Sequence, residues 1–274
     1  MTKLIFFGNG PLAETSLSLF QQSPHFQIVF HAKTKADLAE VQRLKSADPD
    51  LFGVLASFGT LIKQDLLDLF EPQGILNIHP SLLPAYRGAS PIETAILNGD
   101  QNFSVSIMKL VKAMDAGPIY FQATLTPSDF KTPFPEKSEI YHKLSSIATE
   151  WLINHLPQLP VPTPQDHDQA TFTSKFDTSM SLLDPQKPAL ALLNQIRAFQ
   201  GFPKSKLVIG QQECIILKAH LDTNSGPDQR AKIKVLCGDN HYLIIDQLQP
   251  NGRKPMDAKS FYNGYMKQST IPQM

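Results

Sequence analysis

The first 110 residues of this 274-residue chain alternate short apolar runs with amphipathic stretches, and few architectures accept that rhythm. Leu4 to Phe7 reads as a strand and meets the turn Gly8-Asn9-Gly10-Pro11 before the apolar-periodic stretch Leu12 to Phe20. Phe26 to Phe30, Phe52 to Ala56 and Gly74 to Ile78 read as further strands, with helical patterns over Asp37 to Lys45 and Lys63 to Phe70. Strands alternating with helices predict βαβ units and a largely parallel sheet. Ligands of such sheets bind beyond the carboxyl ends of the strands, and Asn77 and His79 fall at one of them. Phe103 to Met108 adds a strand that leads into the turn carrying Asp115.

Punctuation divides the rest of the chain. Ser90, Pro91 and Glu93 have the order of an N-cap, a first helical residue and the third member of a capping box, and Gly99 ends that helix. Tyr141 to His155 reads as a longer amphipathic helix that closes a first domain, residues 1–158. Residues 159–176 are rich in proline, including Pro160-Val-Pro-Thr-Pro164, and read as a semi-rigid linker. In residues 177–274 a helix over Pro188 to Ala198 precedes short strands at Leu207–Ile209, Cys214–Leu217, Lys232–Cys237 and Tyr242–Leu248. So many strands in under a hundred residues suit a small OB-like β-barrel.

Composition removes several classes. No apolar run approaches a membrane span, and Met1-Thr2-Lys3 leads into a strand-like run rather than a signal peptide, so a cytoplasmic protein without a membrane partner is expected. Cys214 and Cys237 lack metal-ligand spacing; they could pair, but buried free thiols are the expectation, and no metal is implied. The net charge of +0 conceals an asymmetry. Residues 177–274 hold 12 Lys and Arg against 8 Asp and Glu, whereas residues 1–176 hold 13 against 17. A basic second half is a modest pointer to a nucleic-acid partner.

Chemistry concentrates in two segments. Asn77-Ile78-His79 places a carboxamide and an imidazole on one face of an extended backbone. Thirty-six residues past His79, Met114-Asp115-Ala116-Gly117 supplies a carboxylate in a turn. Each alone has an ordinary structural reading, as turn former, core histidine or turn aspartate. Together they suit acyl transfer through a tetrahedral intermediate. A protonated His79 would stabilise the oxyanion or donate to the leaving group, Asn77 would hold the same oxygen, and Asp115 would support the imidazolium and take the amine's proton.

A rival motif lies at Gly8-x-Gly10-x-x-Ala13, which matches a dinucleotide fingerprint between strand and helix. The acidic residue that should end the second strand is missing from Phe30-His31-Ala32-Lys33, so a tight turn without a nicotinamide cofactor is expected.

Asn77-x-His79, Ser81-Leu82-Leu83-Pro84 and Asp115-x-Gly117, in this order and spacing, resemble the 10-formyltetrahydrofolate-dependent formyltransferases. The resemblance implies a Rossmann-like catalytic domain and assigns Asn77, His79 and Asp115 to catalysis. It places Ser81, Leu82, Leu83 and Pro84, with Leu55, Phe58 and Gly59, along the folate site. Gln247 to Met256 and Phe261-Tyr262-Asn263-Gly264 are similar to the C-terminal domain of the tRNA-directed members. This implies transfer to initiator methionyl-tRNA by a protein expected to be monomeric, with Arg87, Arg253 and Lys254 as candidate RNA contacts. Those members usually carry a long basic loop after the second strand, and here Lys33-Thr34-Lys35 passes almost directly into a helix. Lys33, Lys35, Arg43 and Lys45 are then the cations expected to meet the acceptor end. Val111-Lys112 looks more like the enzymes that formylate amino sugar nucleotides, which leaves those as one alternative; an inactive RNA-binding relative is the other.

Overall fold

The computed structural model describes residues 1–222 and 233–266. Contacts divide the chain into two compact units, one of residues 1–92 and 101–174 and the other of residues 93–100 and 175–274.

The first unit opens with strand β1 (Thr2–Phe7), helix α1 (Pro11–Gln22), strand β2 (Phe26–Ala32), helix α2 (Leu38–Ala47) and strand β3 (Phe52–Leu55). Helix α3 (Gln64–Leu69), strand β4 (Ile75–His79) and the short strand β5 (Arg87–Gly88) follow; the next element in the chain, helix α4 (Pro91–Asn98), falls from residue 93 onward in the second unit. Strands β6 (Phe103–Lys109) and β7 (Ile119–Leu125), helix α5 (Lys137–His155) and the short strand β8 (Phe172–Thr173) complete the run. The sheet order is β2-β1-β3-β4-β6-β7, parallel from β2 through β4 and antiparallel from β4 to β7. The expected βαβ alternation is therefore present, and an antiparallel pair is added beside β4. Helix α1 starts at Pro11, whose fixed φ suits a first helical residue. It packs on α5 through a buried chain of hydroxyls, in which Thr149 Oγ1 donates to Ser16 Oγ and Ser145 Oγ donates to the Leu12 carbonyl. Around these strands Ile5, Phe7, Leu55, Phe58, Phe70 and Ile75 form a continuous apolar cluster.

Gly8 explains the fingerprint-like turn without a dinucleotide. A Cβ there would sit 1.7 Å from the Ala56 carbonyl oxygen, so only glycine permits this approach of β1 to the chain after β3. His31, at the position where a ribose-binding acid would stand, donates from Nε2 to the Gly8 carbonyl at 2.8 Å. The segment after β2 closes at once, because the Asp37 carboxylate accepts from the backbone of Lys33 and Thr34 in a capped turn.

The second unit holds helix α6 (Ala189–Ala198) and strands β9 (Ser205–Ile209), β10 (Gln212–Leu221), β11 (Ile233–Leu236), β12 (Tyr242–Pro250) and β13 (Met256–Asp257), followed by helix α7 (Ala258–Phe261), which continues into a wider helical turn over Tyr262–Met266. These strands form an antiparallel half-barrel in the order β11-β12-β10-β9, with β13 on β12. Leu192, Leu193 and Ile196 of α6 share a core with Ile216, Leu243, Ile245 and Phe261. Cys214 and Cys237 are buried free thiols within it, and burial raises the Cys214 pKa to about 11. Lys232, expected to open β11, lies outside the described residues.

Candidate active site

All of β4 is buried, as an interior strand with parallel β3 on one edge and antiparallel β6 on the other. Its last residues bring Asn77 and His79 to the carboxyl end of the sheet, both about 95% buried. His79 Nε2 lies 3.0 Å from the Tyr86 carbonyl oxygen. A carbonyl only accepts, so this contact fixes a proton on Nε2 and turns Nδ1 toward Asp115, 3.7 Å from Oδ2.

Asp115 is held from several directions. Its backbone sits in the left-handed region (φ 47°), which aspartate tolerates better than most residues. Its Oδ2 accepts from the Gly88 amide at 2.8 Å and its Oδ1 from Asn77 Nδ2 at 3.4 Å. Two residues on, a Cβ at Gly117 would fall 1.8 Å from the Lys109 carbonyl oxygen, so the turn closes this tightly only with glycine there. The three expected catalytic groups thus meet around one carboxylate, and Asn77 keeps a second N–H for another acceptor. Tyr86 (φ 58°) and Ser57 (φ 54°) are also left-handed, in the segments that border this site and the expected folate wall. Backbone strain of this kind collects where geometry is functional.

The Ser81–Pro84 loop is tied from beneath. Ser106 Oγ donates to the Ser81 carbonyl at 2.6 Å and accepts from the Leu83 amide at 3.1 Å. Gln122 Nε2 donates to the Leu83 carbonyl at 2.9 Å and to Ser106 Oγ at 3.0 Å. Ser106 and Gln122 are cross-strand partners and Ser106 is also opposite His79, so one row of the sheet supports both the loop and the histidine. The sequence reading missed both residues. For Ser106 the available signal was a serine among the apolar residues of β6; Gln122 carried none.

Among the expected folate residues, Leu83 is buried and Pro84 partly so, while Leu82 is exposed. Leu55 and Phe58 turn into the core, where Phe58 meets Phe7 edge-on. The exposed side of that segment is formed by Ser57 and Gly59, an arrangement that fits recognition by main-chain groups.

The cations are placed differently from expectation. Arg87 is buried, with Nη2 donating to Gln165 Oε1 at 2.6 Å and to His167 Nδ1 at 2.9 Å, so its guanidinium is engaged inside the first unit. Lys45 is buried as well, which corrects its reading as a contact for the acceptor end. Its amine donates to the carbonyls of Pro49 and Leu51, and burial lowers its pKa. Arg43 pairs with Glu40, while Lys33 and Lys35 are exposed. Arg253 and Lys254 are exposed in the turn between β12 and β13.

A family model described as formyl transferase matches residues 11–155, and one described as formyl transferase, C-terminal domain, matches residues 175–266. The methionyl-tRNA formyltransferase of Borrelia hermsii (strain HS1 / DAH) is 35% identical over 243 residues, which cover 84% of this chain and 76% of that one. Two solved structures below 20% identity share the fold. The methionyl-tRNA formyltransferase from Clostridium thermocellum superposes with a TM-score of 0.68 at 19% identity, covering 91% of this chain and 99% of that chain. HypX from Aquifex aeolicus in complex with tetrahydrofolic acid gives 0.72 at 15% identity and covers 97% of this chain, which spans 48% of HypX. With both family regions matched in order and Asn77, His79 and Asp115 gathered at the end of β4, this chain belongs to the formyl transferase family.

Proposed function

We propose that the protein transfers the formyl group of 10-formyltetrahydrofolate to the α-amino group of methionyl-tRNA, the charged initiator tRNA being the acceptor used in translation initiation. The observation that carries the reading is the Asp115 carboxylate, bonded to Asn77 and facing His79 at the carboxyl end of the sheet. The amine nitrogen attacks the formyl carbon, and the carbon–oxygen double bond opens to an oxyanion. The free N–H of Asn77 and a protonated His79, donating from Nδ1 because Nε2 is bonded to the Tyr86 carbonyl, stabilise that oxygen. Asp115 accepts the proton lost by the attacking nitrogen, directly or through one water. Collapse of the intermediate expels N10 of the folate, which takes the proton that Asp115 accepted, directly or through one water, and leaves a formamide on methionine. No residue changes its net protonation over a turnover.

Ser81 to Pro84 and the main chain near Leu55, Phe58 and Gly59 form the folate side in this reading. The half-barrel contributes RNA affinity through exposed cations, Arg253 and Lys254 among them. The 35% identity to the Borrelia hermsii methionyl-tRNA formyltransferase supports methionyl-tRNA as the acceptor. The test is incubation with 10-formyltetrahydrofolate and charged initiator tRNA, followed by deacylation and mass analysis for N-formylmethionine. An amino sugar nucleotide is run in parallel. Formylmethionine alone is expected; a formylated sugar with unmodified methionine would overturn the choice of acceptor.

A further inference from the structure

Gln165 lies in the segment that the sequence reads as a spacer, yet it is buried and every polar atom of its side chain is bonded. Its Nε2 donates to the carbonyls of Asp115 at 2.8 Å and Gly117 at 2.6 Å. Its Oε1 accepts from Arg87 Nε at 3.2 Å and Nη2 at 2.6 Å. Carbonyls only accept and a guanidinium only donates, so a single orientation of the amide satisfies all four contacts.

The two sides of this bridge are the two sides of the site. Asp115 and Gly117 flank the left-handed turn that presents the carboxylate. Arg87 is bracketed by Tyr86, whose carbonyl accepts a hydrogen bond from His79 Nε2, and Gly88, whose amide donates to Asp115 Oδ2. Fixing Arg87 against the Asp115 turn therefore sets the separation of carboxylate and imidazole. The Arg87 backbone is held in turn by the chain beyond Gln165, where its amide donates to the Thr171 carbonyl at 2.8 Å.

We propose that Gln165 is a positioning residue for formyl transfer, clamping the Asp115 turn to the Tyr86–Gly88 segment so that the proline-rich segment is part of the active site. The inference rests on the function proposed above. Gln165 has no direct role with substrate. It acts on turnover through the geometry of Asp115, and a misplacement of about 1 Å at such a site lowers the rate by about 100-fold.

The experiment is steady-state formylation of initiator methionyl-tRNA by the wild type and by Gln165→Glu. Glutamate keeps the shape and the contact with Arg87 but offers carboxylate oxygens to two carbonyls that need donors. The expected result is a fall in kcat of about 10- to 100-fold, KM for both substrates close to wild type, an altered pH profile of kcat and a cooperative melting transition at a lower temperature, since two buried carbonyls lose their donor. Gln165→Met gives the same measurement if the glutamate variant does not fold. An active wild type with kcat within twofold in the folded variant, or a loss confined to KM, would overturn the proposal alone. A wild type that formylates no methionyl-tRNA would remove the functional reading and this inference together.

Discussion

Asp115 is the residue on which the constraints of the site converge: a left-handed backbone, a backbone amide on one oxygen, a carboxamide on the other and an imidazole beside it. His79→Ala and Asn77→Ala should each lower kcat by roughly two to four orders of magnitude, the range for an acid–base or oxyanion-stabilising group. Measured rates above a tenth of wild type in folded variants would remove the catalytic assignment. Gly117→Ala tests the turn itself. Its Cβ meets backbone rather than a movable side chain, so the turn must shift and kcat should fall by about 10-fold or more; unchanged kinetics would show that the turn has slack. Asn77, His79 and Asp115 were legible because their chemistry and spacing carry a recognisable pattern. Ser106, Gln122 and Gln165 were not, because groups that hold the backbone have no fixed spacing from what they hold. Arg87 and Lys45 were misplaced on the surface because charge alone suggests solvent, whereas local carbonyl, amide and imidazole partners allow both to be buried.

At the scale of elements, apolar periodicity located β1 to β4, β6 and most helices within a few residues. It missed β7, an edge strand whose residues are largely half-buried and whose entry is marked by Gly117-Pro118, a turn signal. Lys45 joins the end of α2 to the start of β3 through the Pro49 and Leu51 carbonyls. Lys45→Met should cost about 1–3 kcal/mol by leaving buried acceptors unmatched, read as a lower midpoint in urea with an unchanged slope. A midpoint equal to wild type would mean that water replaces the amine at no cost. In the half-barrel, Cys214 is buried with its pKa raised to about 11. At pH 8 it is almost wholly a thiol, so a disulfide reagent should leave it unmodified until the protein is unfolded. Rapid reaction in the native state would show that β10 opens readily.

At the scale of the molecule, the net charge of zero is the sum of an acidic first part and a basic second part. The chain closes the turn after β2 at Thr34–Asp37 and exposes only Lys33 and Lys35 there, so few phosphates can be met from that side. On the proposed function, affinity for tRNA is expected to depend more on the half-barrel. Arg253→Ala with Lys254→Ala should reduce the salt dependence of binding by about two counterions without changing the rate at saturation. The most direct measurement combines both units: single-turnover formylation of initiator methionyl-tRNA across a salt series, for the wild type and Asp115→Asn. The wild-type kcat/KM should fall steeply with salt while the rate at saturating tRNA stays nearly constant. Asp115→Asn should show the same salt dependence with a saturated rate lower by about two to four orders of magnitude. A saturated rate within tenfold of wild type in that variant, or wild-type binding indifferent to salt, would contradict this division between formyl chemistry and RNA binding.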